Sequence, residues 1–240
     1  MDFGGAHVTR YVTDIDDVLN TTRTVRFRMD FERQVEDEVL LECLEMAQQA
    51  TVGSNQEYWR FVLVRDIGQK MKIAALYRQV WNETVAIPLA KGEAATVTRL
   101  SPTVRAGDEA QRRQSKILDG VKYLVDRLEQ VPVLMIACSS APPPRKPMGG
   151  SASGYYGSII PFVWSYQLAL RSRGMGSVMA TAIVYRAKEL KEILDLPNDC
   201  NPITMVPIGY TKGLDFRKGA RRPINEIFRW DRWSSSPAGV

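Results

Sequence analysis

The chain has 240 residues, 45% hydrophobic and 25% charged, a composition that suits a folded domain and excludes disordered, collagen-like and disulfide-scaffold chains. Lys and Arg total 32 against 27 Asp and Glu, and there is 1 histidine, His7. A Ser-His-Asp triad, a Cys-His pair or a histidine metal site would have to rest on that single ring, so an enzyme of this composition takes its chemistry from a cofactor.

From the start of the chain, Met1 to Arg10 lacks the charged-then-apolar order of a secretion signal. Asp14 to Thr24 reads as a short helix, with Asp14, Asp16 and Asp17 at its positive end and Val18 and Leu19 as apolar contacts. A second helix opens on Glu36, Asp37 and Glu38 and repeats Val39, Leu40, Cys43, Leu44 and Ala47 at helical spacing, to about Gln49. The loop Thr51-Val52-Gly53-Ser54-Asn55 then feeds a strand at Trp59 to Val64. Helical spacing resumes from Met71 to Trp81 through Ile73, Leu76, Tyr77 and Val80. Ala86 to Gly107 sustains no period, and Asp108 to Leu128 is again helical, with Ile117, Val121, Leu124, Val125 and Leu128 on one stripe. Residues 86–128 therefore predict a mobile helical excursion that covers part of the fold.

Val131 to Cys138 is nearly continuous in apolar residues, the pattern of a strand buried on both faces, and a loop follows from Ala141 to Gly150. Pro147 to Leu170 is uncharged, but its first half is rich in Gly and Ser and Pro161 interrupts the second, so it predicts no membrane span. Ile159 to Leu170 instead predicts a helix buried on all sides. Gly174-Met175-Gly176-Ser177 reads as a turn, Val178 to Ala182 as a short strand, Ala187 to Leu194 as a helix, and Ile203 to Gly209 as a further apolar strand. Residues 234–240 read as a flexible tail. Cys43, Cys138 and Cys200 form no CxxC or Cys/His pattern and suit buried positions in a reducing cytoplasm. Helices alternating with strands predict one α/β or α+β domain around a central sheet.

Two basic groups could carry a ligand. Arg23 and Arg26 flank Thr24 with two guanidinium forks and a hydroxyl, a set that can hold a phosphate. From Lys212 to Arg232 there are seven basic and three acidic residues, with Arg217, Lys218, Arg221 and Arg222 clustered before Pro223. Convergence of the two groups would make a site for one small anion, whereas a spread along a face with Trp230 and Trp233 would suit nucleic acid. Gly53-Ser54-Asn55 with Trp59 offers close backbone approach, hydrogen-bonding side chains and an aromatic anchor for a flat ring. Neither a GxGxxG nor a Walker A sequence occurs.

Together these pieces resemble the nitroreductase family of FMN-dependent flavoenzymes. Arg23-Thr24-Val25-Arg26 is similar to the family's R-[RS]-S-V-R opening, and Gly53 to Phe61 to its P-[ST]-G-x-N-x-Q-x-W-x-F run. Gly157-Ser158-Ile159, the Gly-Met-Gly within Leu170 to Ser177, Pro207-Ile208-Gly209-Tyr210 and Arg221-Arg222-Pro223-Ile224 follow in order. The resemblance implies an α+β (α/β sandwich) fold over residues 1–240, with a central, mostly antiparallel sheet flanked by helices. It implies an obligate homodimer with an FMN at each interface site. Arg23, Thr24, Val25 and Arg26, with Lys218 and Arg221, would bind the phosphate and ribityl end, and Ser54 and Asn55 the polar edge of the ring. Ser158, Ile159 and Pro161 would flank the ring from the partner chain, and a backbone N–H among Met179, Ala180 and Thr181 would meet flavin N5. NADPH or NADH would reduce the flavin, and a nitroaromatic, quinone or similar small aromatic would reoxidise it, with no catalytic side chain, no metal, and neither nucleic acid nor membrane as partner. Dehalogenation, ene reduction, flavin fragmentation and non-catalytic flavin binding are the alternatives. The excursion would shape the substrate mouth, with Arg99, Arg105, Arg112 and Arg113 as candidates for a nicotinamide phosphate. Thr22 and Glu57 depart from the Arg and Gln common at those places.

Overall fold

Val133–Ser139 (β2) is buried along its whole length, and that places it at the centre of the sheet. A computed structural model describes residues 12–92, 108–146, 148–221 and 223–234, apart from the side chains of 108–111 and 113. His7, Arg99, Arg105, Arg222, the side chain of Arg113 and the tail from residue 235 lie outside the described residues. β2 pairs antiparallel with Trp59–Val64 (β1) on one side and Asn201–Tyr210 (β4) on the other, and β4 pairs antiparallel with Met175–Ser177 (β3). The sheet order is β1-β2-β4-β3.

The two-residue period of β2 divides the core. Leu134, Ile136 and Cys138 face one layer, where they meet Ile73, Ala74, Leu76 and Tyr77 of Ile67–Trp81 (α3). Leu124 and Val125 of Asp108–Val125 (α5) and Leu190 of Ala187–Leu194 (α7) complete that layer. Val133, Met135 and Ala137 face the other, against Leu40, Cys43 and Ala47 of Asp37–Ala47 (α2) and Ile159, Phe162, Val163, Tyr166 and Leu170 of Gly150–Ser172 (α6). Ile15–Thr21 (α1) is capped by the Asp14 carboxylate, which accepts the Asp17 N–H at 3.0 Å. The result is an α+β sandwich with an antiparallel sheet between two helical layers. No helix among the described residues is long and apolar enough to cross a membrane.

Several boundaries differ from the sequence expectations. α3 starts at Ile67 rather than Met71, because Asp66 caps it by accepting the Gln69 N–H. α6 starts at Gly150, and Ala152, Tyr155 and Ile159 carry its buried stripe through the Gly- and Ser-rich stretch. Nor is α6 buried on all sides: Tyr156 and Trp164 are exposed at 47% and 43%, with Ile160, Pro161 and Leu168 half-buried along the same flank. The expected turn at Gly174–Ser177 contains strand β3, and the expected strand Val178–Ala182 is reduced to one bridge between Ala180 and Met205 before a 3-10 segment, Thr181–Arg186. Within the excursion, α3 runs through a π turn at Asn82–Ala86 into Ile87–Ala90 (α4), and the end of α5 is part of the core rather than a cover over it. Ile224–Ile227 (α8) was not expected from the sequence.

All three cysteines are free and buried. Burial pushes the Cys43 thiol up to about 11, and raises Cys138 as well, with Cys200 beside it adding to the shift. Because the thiolate is the reactive form, a disulfide reagent at pH 8 is expected to titrate no thiol in the folded protein and all three after denaturation. Rapid labelling of the folded protein would contradict this core.

Candidate functional site

The N-terminal basic segment is fixed by a close backbone approach. Thr24 bridges Ser177 in parallel at the free edge of β3, and the Val25 N–H donates to Ser177 O at 3.1 Å. A Cβ on Gly176 would lie 2.6 Å from Val25 Cβ and 2.8 Å from Thr211 Cγ2, so only glycine lets the two segments meet. Val25, expected at the ligand, instead turns its side chain into the core at 4% exposure. Thr24 remains exposed. The Thr22 hydroxyl donates to Val18 O at the end of α1 and so turns back on its own helix.

The C-terminal basic segment follows β4 as irregular chain, and its carbonyls need donors. Three arginines supply them. Arg28 donates to Lys212 O through Nε and Nη2 at 3.0 and 2.9 Å and pairs with the Asp215 carboxylate. Arg171 donates to Leu214 O at 3.0 Å. Arg23 donates to Arg217 O through Nε and Nη2 at 2.9 and 2.7 Å. The Phe216 ring receives the guanidinium groups of Arg28 and Arg171 at 4.3 and 4.8 Å.

This arrangement brings Arg23 and Arg221 together. A Cβ on Gly219 would lie 2.8 Å from Arg23 Nη2 and 2.9 Å from Arg221 Nη1, so the two like charges converge over a glycine. Neither has a carboxylate partner among the described residues. Burial, and then the Arg221 charge, lower the Arg23 pKa from the ordinary arginine value. An anion between the two groups would relieve that repulsion and take charge-assisted bonds from both. Lys218 is exposed beside them. Arg26 does not join: its side chain lies against Gly120 of α5, and burial lowers its pKa while nearby Tyr77 raises it.

A second cluster lies by the start of β1. Ser54 and Asn55 both have φ of 54°, in the left-handed region that strains non-glycine residues. The Gly53 N–H donates to Ser158 Oγ at 3.3 Å, and Trp59 Nε1 donates to Ser158 O at 2.8 Å. Around these contacts is a cavity of about 330 Å³, lined by Ser54, Trp59, Tyr155, Ser158 and Ile159 among others. Asn55 and Pro161 do not line it. Pro161 withdraws the helical N–H that Gly157 O would have accepted. Burial raises the Tyr155 phenol pKa against a hydrogen bond with Ser139 that lowers it, which leaves a neutral phenol at the wall. The backbone of Glu57, the other departure, accepts from Arg60.

The two clusters are far apart in one chain, and α6 measures the gap. Ser158 touches the Gly53 loop, while Arg171 bonds Thr21 Oγ1, two residues before Arg23. Those helix positions are separated by about 20 Å at 1.5 Å per residue. The segment after β3 lies nearer the arginines. There the Val178 and Ala180 N–H groups are spent on Pro207 O and Met205 O, so Ala180 cannot offer its N–H to a ligand. Met179 and Thr181 alternate with them, and their N–H groups have no acceptor among the described residues.

Arg28, Arg171 and Gly219 were not singled out from the sequence. Spacing gives no sign of them, because each works on a segment distant in the chain. Arg171 does end an uncharged, apolar run, but that pattern equally describes a solvated helix terminus.

The nitroreductase family model matches residues 19–210. A search of curated protein sequences gave no match. Among solved structures, the chain is similar to a BluB-like flavoprotein from Clostridium difficile 630, with TM-score 0.64, 18% identity, and 92% of this chain and 100% of that one covered. It is similar to oxidised iodotyrosine deiodinase bound to FMN and 3-iodo-L-tyrosine, with TM-score 0.63, 23% identity and coverage of 91% and 99%. It is also similar to a nitroreductase-like family protein from Bacillus cereus, with TM-score 0.59, 22% identity and coverage of 91% and 96%. At these identities the structures establish the shared fold.

The Gly176 contact predicts a specific cost. Gly176→Ala is expected to lose about 1–3 kcal/mol of stability through overpacking, measured by denaturant unfolding. Gly150→Ala at the start of α6, where a Cβ meets nothing within 4 Å, is expected to stay within about 0.5 kcal/mol of the parent or to gain. Equal effects would refute the close approach.

Proposed function

The chain belongs to the nitroreductase family, and on that premise we propose that it is an FMN-dependent oxidoreductase acting as a homodimer. The observation that carries this reading is the pair Arg23 and Arg221, two convergent guanidinium groups with no carboxylate between them. Their chemistry fits a phosphate dianion, with Lys218 adding charge and the Thr24 hydroxyl a further hydrogen bond. FMN bound there would supply hydride transfer, taking a hydride from NADPH or NADH and passing it to a nitroaromatic, quinone or similar electron-poor substrate in two exchanges at one site.

The chain's own residues position and shield. Met179 and Thr181, whose backbone N–H groups have no acceptor among the described residues, would supply donors to the edge of the ring. Ser158 lies about 20 Å along α6 from Arg171, which braces the arginine corner, and that separation supports a second copy as the source of the Ser54, Asn55, Ser158, Ile159 and Pro161 that would flank the ring. The exposed flank of α6, Tyr156, Ile160, Pro161, Trp164 and Leu168, supports that pairing as apolar surface for a like chain to cover. No side chain at either cluster has to act as a base, in keeping with the single histidine. The excursion would shape the substrate mouth, and of its candidate arginines for a nicotinamide phosphate Arg112 has a described, exposed side chain, on α5. Three free thiols suit a reducing cytoplasm.

The family premise admits other acceptors, and the similarity to the deiodinase and BluB-like structures is as close as that to the nitroreductase-like protein. Reductive dehalogenation or another flavin reaction at the same site is therefore the second reading. Protein reconstituted with FMN is expected to absorb near ~370 and ~450 nm, to bleach with NADPH or NADH, and to recover with a nitroaromatic or quinone. Recovery with halophenols alone would favour the second reading, and protein that binds no FMN would overturn both. Light scattering is expected to give twice the 27.0 kDa chain mass. Arg221→Ala is expected to weaken FMN binding about tenfold or more.

A further inference from the structure

We infer that Arg171 is the positioning residue that sets the spacing of the phosphate-holding arginines, an inference that rests on the FMN reading above. Arg171 stands at the end of α6 with 4% of its surface exposed. Its Nε and Nη2 donate to Thr21 Oγ1 at 3.3 and 3.0 Å, and Nη2 also donates to Leu214 O at 3.0 Å. Thr21 precedes Arg23 by two residues, and Leu214 precedes Arg217, whose carbonyl Arg23 takes. The bonds thus close a circuit: α6 to Thr21, along the chain to Arg23, across to Arg217, back to Leu214, and into α6 again.

The cost of this arrangement argues for a demand beyond filling space. Arg171 has no ion pair among the described residues, and its Nη1 is buried without a partner. A buried cation without a carboxylate is expensive, and a hydrophobic residue of similar volume would be cheaper if packing were the only need. Burial and then Arg28 lower its pKa, opposed by Asp17. What a guanidinium provides and an apolar residue lacks is a planar fork that holds two chain segments at one fixed separation. The segments held here are the two that lead to Arg23 and to Gly219 with Arg221, so the fork determines the gap that one phosphate must fill.

The test compares FMN with riboflavin, which has the same ring system and no phosphate. The parent protein is expected to prefer FMN. Arg171→Met and Thr21→Val are each expected to weaken FMN binding about tenfold while riboflavin stays within about twofold, with Arg171→Lys partly restoring FMN. If Arg171→Met does not fold, Thr21→Val carries the test, since it removes the acceptor and leaves the buried guanidinium in place. A loss shared equally by FMN and riboflavin, or no change in the Thr21→Val ratio, would overturn the inference. A parent protein that binds riboflavin as tightly as FMN would instead overturn the phosphate reading itself, before any variant is compared.

Discussion

Backbone carbonyls in an irregular segment must find donors, and between Lys212 and Arg217 this chain finds them in three guanidinium groups that come from elsewhere. The candidate site depends on that interaction. The segment has neither helix nor ladder to define it, so its path follows from where Arg23, Arg28 and Arg171 stand. Those three are fixed in turn by α1, by the Thr24–Ser177 bridge and by α6. The surplus of basic residues over acidic ones therefore has an internal use. Arg23, Arg28 and Arg171 bond the backbone of the loop, and Arg23 also meets Arg221 over Gly219.

The same geometry bears on assembly. The arginine corner is braced from one end of α6, and Ser158 lies about 20 Å along that helix from Arg171. The proposed second copy would bring another Ser158 cluster to the corner. The polar contacts at Gly53 and Ser158, the left-handed Ser54 and Asn55, and the cavity beside them are costly features for a surface with no task. The apolar flank of α6 runs from that cavity toward the arginines, so one contact between copies would bury the flank and complete the site.

Much of the fold was legible. β1 and α7 stand at the expected residues, because the first is a short aromatic and β-branched run and the second has a helical period with a stop before Pro197. α6 was foreseen only in its second half. Gly150 to Gly157 has poor helix propensity and reads as loop, and the burial of Ala152 and Tyr155 that overrides it is a tertiary effect. The site was legible only as separate pieces, two basic groups and the Gly53–Trp59 loop. That Arg23 meets Arg221 came from family resemblance, since nothing in the spacing of residues nearly two hundred positions apart implies contact. Arg26 shows the converse: three positions from Arg23 suggests one shared face, but the chain there is not helical, and its side chain goes to α5.

The segment Val178–Thr181 shows why an element can be misread and its position still matter. A sequence rich in Val, Met and Ala suggests a strand, and the backbone does run along β4. Antiparallel pairing spends every second N–H on the neighbour and turns the others away. This segment continues along the edge of the sheet, so the N–H groups of Met179 and Thr181, which alternate with the bonded ones, have no acceptor among the described residues. The edge position is what leaves a set of backbone donors here, on the same side of the sheet order as the Thr24 bridge, before the chain coils into a 3-10 segment.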